Sequence, residues 1–280
     1  MAAPGKIANN ERALIASGIV LFVVWNAAPL LWLVMTSVMH QKALTSTPPD
    51  FSAGSFTLLN YVEVFRSSAQ LGRGIANSLI VAFGTTAIAI LLGAPAAYAL
   101  ARLPLPGRST LLLMVLAAQM FPAVVVAIPL FIAASRMGLI DSKISLILVY
   151  LTFNLPIVIW VLRGFFAGIP AGLERAARMD GATTWQTFRL IVLPISIPAL
   201  FASAVFAFIE SWNEFFFALI LTRQESQTVP LVIASFAGQY QTLFGQMMAA
   251  ATISVAPVVI LAILLRKTIL SGFADGMLKG

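Results

Sequence analysis

The 280-residue chain is 60% hydrophobic and only 10% charged, with a net charge of +7 and a mean hydropathy of +0.97. A soluble domain carries about 25% charged residues, and a globule of this size cannot bury so much apolar surface, so the solvent is a bilayer. With no cysteine and one histidine, His40, the chain offers no disulfide framework and no thiolate metal site, and it leaves Ser-His catalysis little to work with. The basic balance reads as loop charge that sets membrane orientation, not as a nucleic-acid surface.

Taken in order, the charge-poor runs predict an all-α polytopic membrane protein: one transmembrane domain over residues 1–280 with six transmembrane helices, at about 13–35, 74–101, 109–135, 144–162, 195–222 and 247–265. Each is near or above the roughly 20 residues that cross about 30 Å of hydrocarbon as a helix. A backbone in lipid must satisfy its own hydrogen bonds, and the alternation of a barrel is absent, so helices are the reading. The first run follows Lys6 and Arg12 but exceeds the 7–15 residues of a signal-peptide core, and reads as a retained helix. Six spans place both termini on one side. That side collects eleven Lys and Arg, and the other six, so the termini are expected in the cytoplasm of a multi-pass plasma (inner) membrane protein. The loop from about residue 36 to 73, with Pro48-Pro49, then faces outward. Pro29, Gly93, Pro95, Pro122, Pro129, Pro156, Pro198 and Pro257 fall inside the spans, where membrane helices tolerate both residue types.

Between the fourth and fifth spans, residues 171–194 break the apolar pattern with Glu174, Arg175, Arg178, Asp180 and Arg189. Pro170 precedes a helix-prone run, and Glu174 with Arg178 makes an i,i+4 pair near its start. Gly181 ends or bends this helix, residues 184–189 can form a second, and Pro194 leads back into the membrane. Two short helices with a sharp corner project from the membrane surface. The plainer alternative is an amphipathic linker in the headgroup layer, with Trp185 and Phe188 dipping inward.

Ala176, Ala177, Gly181, Ile191, Leu193 and Pro194 reproduce the spacing A-A-x3-G-x9-I-x-L-P. This resembles the EAA motif of the membrane subunits of ATP-binding-cassette importers, although the motif's glutamate position holds Arg175 and a glutamate sits one place earlier, at Glu174. Glu210-Ser211-Trp212-Asn213-Glu214-Phe215 and the ending Gly272-Phe273-Ala274-Asp275-Gly276-Met277-Leu278-Lys279-Gly280 resemble elements of the carbohydrate-uptake branch, which includes the maltose permease. The core Met179-Asp180-Gly181-Ala182 fits it as well. The resemblance implies a type I importer permease fold. It also implies that Glu174, Arg175, Ala176, Ala177, Asp180, Gly181, Ala182, Leu193 and Pro194 form a coupling helix docking on a cytoplasmic ATPase, with the tail 266–280, through Gly272, Gly276, Lys279 and Gly280, as a second ATPase contact. Expected partners are a second permease, most simply a related but distinct chain, two ATPase subunits, an extracytoplasmic solute-binding protein and membrane lipid. The chain has no G-x-x-x-x-G-K-[ST] phosphate loop. ATP and magnesium are therefore expected in the partner subunits, with no cofactor, metal or catalytic residue in this chain.

Glu210 and Glu214 are four apart and are expected to share a helix face. Acids at membrane depth mark a cavity or a partner. With Trp212 and Asn213 they are candidates for the wall of a sugar path; the alternative is a contact between helices or a position near the outer interface. They also support a competing reading as proton carriers of a secondary transporter, although no internal repeat is visible. An intramembrane hydrolase would need a catalytic set that two glutamates alone do not supply.

Overall fold

The computed structural model describes residues 9–67, 69–238 and 242–277. Among them the chain is helical, with no strand beyond two isolated bridges, Met39–Phe56 and Ala237–Thr242. The helices are α1 (Asn9–Ser37), α2 (Gln41–Thr45), α3 (Leu59–Ser67), α4 (Ala69–Arg102), α5 (Arg108–Ala118), α6 (Ala123–Arg136), α7 (Lys143–Gly168), α8 (Ala171–Met179), α9 (Thr184–Thr187), α10 (Leu193–Ile195), α11 (Ile197–Asn213), α12 (Phe216–Leu221), α13 (Val229–Ser235) and α14 (Phe244–Met277). Four contain stretches long and apolar enough to cross a membrane: Leu14–Ser37, Gln70–Arg102, Lys143–Gly168 and Phe244–Ile263. The number is up to six if each of two bent pairs counts as one span, with α5 and α6 meeting at 88° and Thr184–Ile195 meeting α11 at 77°. The expected span 109–135 is thus a broken helix, and the expected span 195–222 begins at the second bend and is interrupted at Glu214–Phe215, between α11 and α12. Pro122 caps the start of α6, and Pro198 sits in the first turn of α11, places where a proline costs no helical hydrogen bond. The expected tail from residue 266 continues α14 as helix to Met277.

The chain divides into two compact units, residues 1–69 with 233–254 and residues 70–232 with 255–280. In the first, α1 shows its apolar side chains outward around the helix; Leu14, Phe22 and Trp25 are all more than two-thirds exposed. A helix apolar on every face is stable only against lipid or another chain. Below it the unit is held by polar contacts. The buried Asn60 carboxamide donates to the carbonyls of Ser37 and Met39, at 2.9 and 2.8 Å, and Gln41 donates to the Thr242 carbonyl at 2.7 Å. Gly245 lies against this amide: a Cβ added there would stand 2.6 Å from Asn60 Nδ2. Gly245→Ala is expected to cost about 1–3 kcal/mol, seen as a lower melting temperature in detergent. Gly18→Ala, with nothing within 4 Å of its Cβ, should leave that temperature unchanged.

In the second unit α7 is the central element. One half packs Leu146, Val149 and Tyr150 against α12 through Phe217, Ala218 and Leu221; the other packs Val158, Leu162 and Phe166 against Ala89, Ala94, Ala97 and Tyr98 of α4 and against α11. Small residues let the backbones of α4 and α7 approach closely. At Gly93 an added Cβ would meet Val158 Cγ1 at 2.8 Å.

Candidate functional site

The charged interruption folds as a compact elbow. Pro170 ends the extended link from α7 and α8 begins directly after it. Helical spacing turns Glu174 and Ala177 inward together, both buried. The Glu174 carboxylate meets Arg102 Nε at 3.1 Å, accepts a hydrogen bond from Tyr98 Oη at 3.1 Å, and pairs with Arg178 of its own helix at 3.6 Å. Arg102 also donates to the Ile169 carbonyl at the end of α7. Tyr98 and Arg102 are four apart on α4, so a single helix face supplies both partners. A carboxylate this buried is tolerated because two arginines meet its charge and Tyr98 donates to one of its oxygens.

The corner follows. Gly181 adopts φ +86°, Ala182 N–H donates to the Ala177 carbonyl at 2.9 Å, and Gly181 N–H donates to the Arg178 carbonyl at 3.1 Å. This is the Schellman pattern, which satisfies the last carbonyls of α8 and favours glycine at that position. Thr183 opens the second helix with a reciprocal cap: Gln186 N–H donates to Thr183 Oγ1 at 3.2 Å, and Thr183 N–H donates to Gln186 Oε1 at 2.8 Å. A π-helical turn, Phe188–Val192, carries the chain into α10. Phe188 is buried against Tyr98, centroid to centroid 4.9 Å, and Trp185 packs on Phe188 at 5.4 Å. The elbow is therefore pinned to α4 by an ion pair and by an aromatic stack. Its outer surface shows Arg175, Ala176, Arg178, Met179, Asp180, Gly181, Trp185, Arg189 and Leu190. That surface carries no acid-base or nucleophilic set; it is a rigid, mixed basic and apolar knob.

All nine residues expected to form the coupling segment fall within this elbow or its exit, but they divide by direction. Glu174 and Ala177 face the unit's core, while Arg175, Ala176, Asp180 and Gly181 face out. Of the two rings that the headgroup-linker alternative dips into lipid, Phe188 is buried inside the unit and Trp185 is exposed. Sequence reasoning missed Tyr98 and used Arg102 only as an orientation charge; the signal available was the Tyr-x-x-x-Arg spacing at the end of the second span. Gly272 and Gly276 lie on α14, and Lys279 and Gly280 lie outside the described residues.

The membrane acids do not share a helix face. Helix α11 ends at Asn213, and Glu214 turns extended, with φ −68° and ψ 123°. Its carboxylate accepts from Phe217 N–H at 3.0 Å and Ala218 N–H at 3.3 Å, capping α12. Trp212 is 3% exposed and stacks on Phe208 at 5.8 Å, so it packs inside the unit and presents no face to a solute. Glu210 and Asn213 remain exposed.

A second polar centre was not anticipated. Asp141, at the α6–α7 corner with φ +59°, accepts from the backbone N–H groups of Arg223, Gln224, Glu225 and Ser226, each at 3.0 Å, and from Ser226 Oγ at 2.8 Å. Burial alone raises its pKa, but the four backbone donors outweigh it and hold the carboxyl well below the usual carboxylate range. The group is ionised throughout the neutral range. On the other side of the same loop, Asn77 Nδ2 donates to the carbonyls of Glu225 and Gln227, each at 2.9 Å, and Val229 N–H donates to Ser78 Oγ at 2.9 Å.

Helices long and apolar enough to span a membrane, with a charged elbow pinned to the end of α4, define a polytopic helical membrane protein. The model of the family described as "Binding-protein-dependent transport system inner membrane component" matches residues 89–272, and the chain belongs to that family. The trehalose transport system permease protein SugB of Mycobacterium tuberculosis is 37% identical over 265 residues, covering 93% of this chain and 95% of that protein. The trehalose/maltose transport system permease protein MalG of Thermococcus litoralis is 34% identical over 274 residues, covering 96% and 98%. Among solved structures, a bacterial ABC transporter involved in the import of the acidic polysaccharide alginate has a chain of the same fold. It superposes with a TM-score of 0.74 at 22% identity, over 95% of this chain and 99% of that one. The chain is thus a permease component of an ABC importer; its family is a transport family, not an enzyme family.

Proposed function

We propose that this chain forms half of the translocation pathway of an importer for a di- or oligosaccharide or a related polyol or sugar phosphate. The observation that carries the coupling role is the elbow: a rigid outward knob whose one buried acid is tied to α4, so that force on the knob reaches the membrane helices. The partners are a second, related permease chain, two cytoplasmic ATPase subunits that hold ATP and magnesium, and an extracytoplasmic solute-binding protein. The family's description supports the last of these. The termini and the elbow lie in the cytoplasm, where the excess of Lys and Arg falls, and residues 272–280 make the second ATPase contact. Glu210 and Asn213, exposed at the end of α11, face the path, because an acid at membrane depth requires a polar surrounding. Relatives named for trehalose and for trehalose and maltose support a disaccharide substrate.

The test is uptake of labelled trehalose and maltose by cells with and without the chain. Uptake that stops on ATP depletion and survives collapse of the proton gradient is the expected result. Uptake with the opposite dependence would return Glu210 and Glu214 to the role of proton carriers and reject ATP coupling.

A further inference from the structure

The polar centre around Asp141 is larger than a turn needs. One carboxylate takes five donors from residues 223–226, and the Asp141 N–H in turn donates to the Leu221 carbonyl at 2.8 Å. Asn77 and Ser78 of α4 close on the same loop from its other side. Both are buried, and a Cβ added at Gly74 would stand 3.0 Å from Val232 Cγ2. Three segments distant in sequence, the start of α4, the α6–α7 corner and the loop after α12, are therefore fastened together. Asn77 and Arg102 both lie on α4, separated by 25 residues, or about 38 Å of helix. Helix α7 likewise begins beside Asp141 and ends at the Ile169 carbonyl held by Arg102. The fastening therefore lies at the ends of α4 and α7 opposite to those that hold the elbow, about a membrane thickness away.

We propose that Asp141 is a positioning residue for transport: by fastening the 222–226 loop to the α6–α7 corner, it makes the far ends of α4 and α7 one rigid body that moves when the elbow moves. The inference rests on the coupling role proposed above. A displacement carried along two helices reaches the far side only if their ends are held in a fixed relation; a loose loop there would absorb it. The carboxylate is suited to this role. Hydrogen bonds to a charged acceptor are about twice as strong as neutral ones, and four backbone donors fix the loop independently of its side chains.

Asp141→Asn keeps the shape but replaces one acceptor oxygen with an N–H group facing other N–H groups. In the purified complex the amides of residues 223–226 should exchange with solvent about tenfold faster or more. In cells where the wild-type chain supports trehalose uptake, uptake should fall about tenfold or more, while ATP hydrolysis by the purified complex without sugar stays within about twofold. A merely destabilised fold would lose both together. Because the chain has no cysteine, Asp141→Cys with Ser226→Cys can be bridged by a short thiol cross-linker, which should restore uptake that the unbridged pair has lost. Unchanged exchange in Asp141→Asn would remove the fastening. Faster exchange with normal uptake would remove its role, and so would a bridge that blocks uptake, since the loop would then have to open. The exchange measurement needs no sugar and no ATP, so a failure of the importer reading itself remains distinguishable.

Discussion

Glu174→Ala is expected to detach the elbow from the membrane helices and to abolish uptake. The carboxylate is buried and Arg102 beside it is mostly so, with side chains 6% and 14% exposed. Removing one member of such a pair leaves the other as an uncompensated charge, at a cost of about 3–5 kcal/mol. The elbow has a cheaper escape than global unfolding: α8 can lift away and let water reach Arg102. The expected readings are rapid proteolysis within residues 171–194, loss of the co-purifying ATPase, and a modest fall in the melting temperature of the remaining helices. Arg102→Met alone should do the same by stranding Glu174. The double replacement Glu174→Met with Arg102→Met should recover part of the loss, because a packed apolar pair is often as stable as a buried ion pair. Tyr98→Phe removes one hydrogen bond to the carboxylate and should cost about 1–3 kcal/mol. Wild-type proteolysis and uptake in Glu174→Ala would show that the ion pair does not hold the elbow.

How much of this was legible in the sequence depends on the range of the interaction. The elbow's two helices, its glycine corner and the Glu174–Arg178 pair are local, and composition with i,i+4 spacing shows them directly. The broken spans are less so: Pro122 and Pro198 were visible, but many membrane helices carry proline without breaking, and α7 contains Pro156 uninterrupted. The shared face of Glu210 and Glu214 failed for a specific reason. Four-residue spacing implies one face only within one helix, and Glu214 is better used capping the N-terminus of α12 than extending α11. Trp212 illustrates a limit of residue type, since an aromatic ring serves a core as well as a sugar platform. The Asp141 fastening joins residues more than 80 apart, and nothing in a single sequence pairs them. Glu174 was readable as a candidate, but Tyr98 and Arg102 were not, because only the fold brings them into contact with it.

Gly181→Asp separates strain within the chain from contact with a partner. The glycine sits at φ +86°, where a side chain is strained, yet a Cβ built there meets nothing within 4 Å. The cost inside this chain is therefore conformational only, about 1–2 kcal/mol, and the Schellman bonds of the corner can persist. Insertion and melting temperature should stay close to wild type, while uptake is abolished and the ATPase no longer co-purifies. A graded series makes the cause readable. Left-handed backbone is tolerated better by Asn and Asp than by Ala. If strain in the corner were the cause, Gly181→Ala would be the most damaging of the three. If the open space over Gly181 is filled by a partner's backbone, the order reverses, and the larger Asn and Asp side chains damage uptake more than the methyl of Ala. The second order is expected. The first would place the defect in the elbow itself and leave its outer face without a docking role.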